Sequence, residues 1–125
     1  MTDTDALFII SVAARLVSMH PSTLRKYERV GFLEPSRVGG KLRLYSTGDI
    51  DRLRQIKYLV DERGVNLAGV ELALDLTDNL GQLRDALRGD VDSREAQRRA
   101  RWLLSRMLEA LGARPDRGEL VDGSG

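Results

Sequence analysis

Apolar residues recur along the chain in two rhythms, and the switches between them predict the elements. Val12, Ala13, Leu16 and Val17 follow Ser11, a good N-cap, at helical spacing, so a first helix is predicted to end near Ser18. Ser18-Met19-His20 forms a turn. Pro21 then suits the first turn of a second helix, because its missing N–H has no partner there and its φ is already helical. Leu24 is the inward residue of that helix, with Tyr27, Glu28 or Val30 completing its contact with the first. Gly31 closes it, and Phe32 and Leu33 are expected to plug the core. The rhythm then shortens to two. Ser36-Arg37-Val38 and Leu42-Arg43-Leu44-Tyr45 flank Gly39-Gly40, a pair that can take the positive φ of a two-residue hairpin turn. Leu42 and Leu44 are expected to face the protein and Arg43 to face outward. So small a hairpin must lean on the helices.

Helical spacing returns after Ser46-Thr47-Gly48-Asp49, which resembles a capping box. Ile50, Leu53, Ile56, Lys57 and Val60 line one face, and Gly64 ends the helix. Asn66 caps the next, with Leu67, Val70, Ala73 and Leu74 inward; Gly69 marks either close packing against another helix or a mildly destabilising accident. Leu80, Leu83 and Leu87 recur within residues 78–88, divided by Gly81, and residues 89–92 interrupt the pattern. A last helix, capped by Asp92 or Ser93, is predicted from residue 94 to about 111. It carries a stripe of Ala96, Ala100, Leu103 and Met107 widened by Leu104, Leu108 and Leu111. Two readings of that stripe stay open: a surface for self-association, or a face folded back on its own monomer. Trp102 falls off it, either filling a notch or partly exposed.

The chain has 125 residues, 42% hydrophobic and 31% charged, enough for one small domain plus an oligomerisation helix. There is no cysteine, hence no disulfide, thiolate metal site or redox thiol, and the lone His20 cannot form a histidine cluster. No cofactor or metal is expected. The opening residues lack the basic n-region of a signal peptide. No apolar run approaches the roughly 20 residues of a membrane span. A cytoplasmic, bacterial and nucleoid-associated protein is the expectation. Asp49, Asp51, Asp61 and Glu62 lie beside arginines on a solvated helix. No nucleophile with an oriented base and no phosphate-binding glycine loop is present, so an enzyme is not expected.

Charge changes the picture most. Residues 20–45 hold six basic residues against two acidic, a local +4, whereas the whole chain is +1. A basic module on a near-neutral protein is a focused footprint for a polyanion. Two short helices joined by a tight turn, the second basic, make a helix-turn-helix pattern. Two ordinary packed helices with a solvated basic face would give the same pattern. The hairpin is either a wing lying along phosphates or an edge hairpin guarded by its cations.

Taken in order, ISVAARLVSMHPSTLRKYERVGFLEPSR, the RLYS strand and DIDRLRQIKYLVDERGVNLAGV resemble the MerR family of winged-helix DNA-binding regulators. The ISVAA opening, the MH turn before TLR-x-Y, and GVNLAGV resemble its heat-shock repressor branch. The fold class implied is mainly α: a winged helix-turn-helix over residues 7–77 with a two-stranded wing, C-terminal helices for dimerisation over 78–112, and a disordered tail over 113–125. The resemblance places helix contacts to DNA on Ser22, Thr23, Arg25, Lys26, Tyr27 and Arg29, and wing contacts on Arg37, Lys41, Arg43 and Tyr45. Tyr27 could equally be a core aromatic. Where the family usually has consecutive arginines before the wing tyrosine, this chain has Leu44 in the second position. Dimer contacts fall on Leu80, Leu83, Leu87, Ala96, Ala100, Leu103, Leu104, Met107, Leu108 and Leu111. The partners implied are double-stranded DNA at an inverted repeat, a second copy of the chain and, by resemblance alone, an Hsp70-type chaperone as co-repressor. The alternative is an excisionase-like architectural factor that bends DNA within a larger assembly.

Overall fold

The computed structural model describes residues 6–113. Strand β1 (Leu7–Ile9) leads into helix α1 (Ile10–Leu16), and α2 (Pro21–Arg29) follows a tight turn. Then come β2 (Ser36–Val38), β3 (Leu42–Ser46), α3 (Thr47–Lys57), α4 (Leu67–Ala86) and α5 (Arg94–Ala110). This is the mainly helical, winged helix-turn-helix class that the sequence implies. The chain divides into two compact units between Val70 and Glu71, inside α4 and before the boundary expected after residue 77.

In the first unit, the two-stranded wing gains a third strand. The sheet order is β1-β3-β2, antiparallel throughout, with Phe8 opposite Tyr45 and Ile9 opposite Leu44. Ile9 is therefore a strand residue as well as the N-cap of α1, and the helix starts two residues earlier than an N-cap at Ser11 would give. α1 ends at Leu16, and two residues on Ser18 takes a left-handed φ of 56°, unusual for a residue with a Cβ. The strain is offset by closing bonds, Met19 N–H to Ala14 O at 2.9 Å and Ser18 N–H to Arg15 O at 3.2 Å. Lys57 of α3 adds to them, donating from Nζ to Val17 O and Ser18 O at 3.3 and 3.2 Å.

α2 starts on His20, whose Nδ1 accepts the Ser22 N–H at 3.1 Å, with Pro21 at the first helical position. Leu24 and Tyr27 are buried, and Tyr27 stacks on Phe32 with ring centroids 5.8 Å apart. Phe32 and Leu33 plug the core as expected. The capping box of α3 forms in full: Asp49 N–H donates to Ser46 Oγ at 3.0 Å and Ser46 N–H to Asp49 Oδ2 at 2.9 Å. Ile50, Leu53 and Ile56 are its buried face. Its last turn, Tyr58–Glu62, widens to a π-helix, with Arg63 N–H reaching Tyr58 O at 3.2 Å.

The facing of β3 is opposite to expectation. Arg43 and Tyr45 take the inner side; Leu42, at 49% exposed, and half-buried Leu44 take the outer one. Strand side chains alternate, so one buried anchor fixes all the others. That anchor is Tyr45, with no exposed surface. Gly39 and Gly40, at φ 63° and 77°, turn the chain, and Lys41 N–H donates to Val38 O at 3.3 Å. The last paired residues are Val38 and Leu42, so Lys41 joins Gly39 and Gly40 in the loop between the strands.

Asn66 caps α4 as expected, accepting the Gly69 N–H on Oδ1 at 2.9 Å. The close approach at Gly69 is to Val65 of the preceding loop and not to another helix: a Cβ there would come within 2.5 Å of Val65 Cγ1. In the second unit α4 runs without a break through Gly81, because one glycine costs a helix only about 1 kcal/mol. The interruption at residues 89–92 is real, and Ser93 restarts the chain by accepting the Ala96 N–H at 3.0 Å. On α5 Leu103 and Met107 are buried, while Leu104, Leu108 and the C-cap residue Leu111 are exposed. The tail expected over 113–125 lies, from residue 114 on, outside the described residues.

Tyr45 Oη is buried and finds no hydrogen-bond partner among the described residues. Removing an unpaired buried hydroxyl relieves its desolvation penalty. Tyr45→Phe is expected to hold or raise the unfolding free energy, by up to about 1 kcal/mol, whereas Tyr45→Ala should cost about 3–5 kcal/mol. Urea melts of the two variants check both. An unchanged DNA affinity in Tyr45→Phe would separate the ring's packing role from a phosphate contact.

Candidate nucleic-acid interface

The solvent face of α2 follows from its periodicity. At 100° per residue, Ser22, Arg25, Lys26 and Arg29 fall within an arc of roughly 100°, opposite Leu24 and Tyr27. All four are exposed, and Thr23 sits half-buried at the border. Arg25, Arg29 and Lys41 form no hydrogen bond or ion pair among the described residues. Lys26 Nζ lies 5.9 Å from the Tyr27 ring centroid. The helix thus offers three exposed cations and a hydroxyl on one face, with two apolar anchors behind.

The wing is held beside this face by one carboxylate. In the register of β2 and β3, Arg37 stands directly opposite Arg43. Like charges in that position repel. Glu28, on the flank of α2, resolves the conflict: Arg37 Nη2 donates to Oε2 at 2.7 Å and Arg43 Nε to Oε1 at 2.6 Å. Its side chain is only 17% exposed. Burial alone would raise the Glu28 carboxyl, but hydrogen bonds and charge from Arg37 and Arg43 outweigh it and hold the group below its ordinary range. Each guanidinium has five N–H donors, so one bond to Glu28 leaves most of each fork for other acceptors.

The residues named from the sequence separate accordingly. Ser22, Arg25, Lys26, Arg29, Arg37 and Lys41 are exposed on α2 and the wing; Thr23 and Arg43 are half-buried there. Tyr45 is a correction, having no exposed surface, and Tyr27 takes the core-aromatic side of its two readings. Both rings are core, because Tyr27 shares the inward face of α2 with Leu24 and Tyr45 shares the inner side of β3. Burial raises both phenols, aided by Asp61 at Tyr27 and by Glu28 at Tyr45, with Arg43 and Arg25 opposing at Tyr45.

Three positioning residues were not assigned that role from the sequence. Arg52 Nε donates to Phe32 O at 2.6 Å, Arg54 Nη2 reaches Leu16 O at 3.5 Å, and Lys57 caps the end of α1. Cations on α3 thereby hold both ends of the turn-and-helix segment whose outer face carries Arg25. Only a carbonyl's position in space reveals such bonds; Lys57 on an otherwise apolar face was the one hint.

Among the described residues no group of three or more histidine, cysteine or carboxylate side chains is placed to hold a metal ion. No described helix is long and apolar enough to cross a membrane.

A basic helix presented over a tight turn, with an adjoining basic hairpin, defines a winged helix-turn-helix nucleic-acid-binding unit. The sequence pattern of the MerR HTH family regulatory proteins matches residues 8–77, and the chain belongs to that family. It is 40% identical over 84 residues to a heat shock protein HspR of Streptomyces coelicolor, covering 67% of this chain and 56% of that one. It is 36% identical over 73 residues to the HTH-type transcriptional regulator GlnR of Bacillus anthracis, covering 58% and 56%. Over 70 residues it is 41% identical to the regulator MlrA of Escherichia coli, covering 55% of this chain and 28% of that protein. The chain thus spans about half the length, or less, of these relatives.

Glu28→Gln is expected to loosen the wing, at a cost of roughly 1–3 kcal/mol for a lost charged hydrogen-bond pair. Because the folded carboxyl is held low, its contribution is complete above the ordinary carboxylate range and is lost as pH falls through the lowered folded value. The stability gap between the native chain and Glu28→Gln should therefore be full at neutral pH and close in acid. Thermal melts across that range check it.

Proposed function

We propose that the protein is a sequence-specific DNA-binding transcriptional regulator, with α2 reading bases in the major groove and the β2–β3 hairpin gripping the flanking backbone. The observation that carries this reading is the single exposed face of Ser22, Arg25, Lys26 and Arg29, with the wing fixed next to it through Glu28. Residues 6–70 hold eleven basic against six acidic residues, a net +5 that supports attraction to a polyanion. Assignment to bases or phosphates follows position: the N-terminal half of such a helix meets base edges, and loop cations such as Lys41 meet phosphates.

The regulator acts as a homodimer across an inverted repeat. Leu104, Leu108 and Leu111 on α5, with Leu80 and Leu87, supply exposed apolar surface for a second copy. Leu83, Ala96 and Ala100 are half-buried at its edge. Leu103 and Met107 leave the expected dimer set, because they are already buried within one chain. The name of the Streptomyces relative supports a link to heat stress; repression there, with an Hsp70-type chaperone as the co-repressor to test, rests on the sequence resemblance alone.

Genome-wide capture of bound DNA supplies the sites. On those duplexes Arg25→Ala is expected to lose roughly 1–3 kcal/mol of discrimination against altered base pairs. Lys41→Ala should weaken every duplex alike and flatten the slope of log K against log salt by about 0.9. Anisotropy titrations at several salt concentrations measure both. Equal affinity of the native chain for captured and shuffled duplexes would remove the proposal.

A further inference from the structure

Trp102 of α5, the chain's single tryptophan, is 49% exposed. An indole left in water forgoes a large apolar burial, so its surroundings matter. Two guanidinium groups enclose it: Arg99 Cζ lies 5.2 Å and Arg106 Cζ 4.9 Å from the ring centroid. They sit three residues before and four after Trp102, the spacing that brings side chains together on a helix. Arg99 is fixed further by donating Nη2 to Gln82 Oε1 at 2.6 Å. Residues 94–106 carry five arginines and one carboxylate, Glu95. Among the described residues none of those five arginines forms an ion pair. Glu95, Arg98, Arg99 and Trp102 line a shallow open hollow. At 100° per residue, Trp102 lies roughly 150° around α5 from the exposed leucines, so a second copy seated on those leucines would leave it accessible.

We propose that Arg99, Trp102 and Arg106 form a docking site for a short acidic segment of a partner protein. Its carboxylates would pair with the arginines, and an aromatic or aliphatic side chain would rest on the indole. Charge distinguishes this partner from a nucleic acid. Residues 71–113 hold seven basic against eight acidic residues, a net −1, in contrast to the +5 of residues 6–70. A long duplex senses the summed charge of a whole unit and is drawn to the first. A few carboxylates act within about one Debye length, roughly 8–10 Å, and sense only the local arginines.

Because Trp102 is the sole indole, its fluorescence reads the site directly. The full chain is titrated with a synthetic peptide of glutamates around a central phenylalanine. The same peptide with glutamines, and a short duplex, serve as comparisons. A saturable change with the glutamate peptide is expected, weakened by salt, absent with glutamines, and about tenfold weaker in the double variant Arg99→Gln/Arg106→Gln. Circular dichroism should show that variant folded, as both side chains are on the surface. No saturable change with the acidic peptide, equal affinity in the double variant, or displacement of the peptide by the short duplex would each overturn the proposal. Since α2 takes no part in this readout, its outcome is independent of promoter recognition.

Discussion

The conflict between Arg37 and Arg43 is the constraint on which the DNA-facing half depends. A wing needs cations on both strands to lie along a phosphate backbone, yet their antiparallel register sets the two side by side. Exposed, such a pair would splay the strands. Glu28 removes the repulsion and links the hairpin to the helix that carries Arg25 and Arg29. Local sheet stability and the relative placement of helix and wing thus rest on one carboxylate. Its partial burial strengthens both bonds, because less water competes for them.

A second set of bonds works from behind. Arg52, Arg54 and Lys57 reach backbone carbonyls at Phe32, Leu16, Val17 and Ser18. The carbonyls at the end of a helix are orphaned and carry partial negative charge, so a lysine there satisfies a hydrogen bond and opposes the dipole together. With Ser18 in a left-handed conformation, the turn needs that support more than a glycine-ended helix would. Counting basic residues alone overstates the charge offered to DNA, since several are committed to holding the fold.

Much of this was legible in the sequence, where spacing and chemistry are local. α2 could be read from Pro21, Leu24 and Gly31, the start of α3 from Ser46 and Asp49, and the hairpin from Gly39-Gly40. Non-local features were hidden. The three residues of β1 look like the approach to a helix, because their partner strand is more than thirty positions away. In β3 the two leucines suggested an inner side, but the fully buried ring of Tyr45 takes it, and alternation turns the leucines outward. Gly81 looked like a break because propensity was weighed without the helix on either side of it. Glu28 was counted as a deduction from the basic charge, and its role needed the cross-strand register.

Two kinds of position are thereby kept apart. Side chains that hold the segment in place, among them Leu24, Tyr27, Glu28, Arg52 and Lys57, face inward or toward carbonyls. Arg25, Arg29 and Lys41 make no hydrogen bond or ion pair that the described part of the fold requires. Exposed substitutions away from such features usually change stability by no more than about 0.5 kcal/mol. A duplicated copy of this chain could therefore accumulate changes on the outer face of α2 and acquire a different operator while still folding. The scaffold is constrained where side chains face inward and leaves the proposed reading surface open to drift.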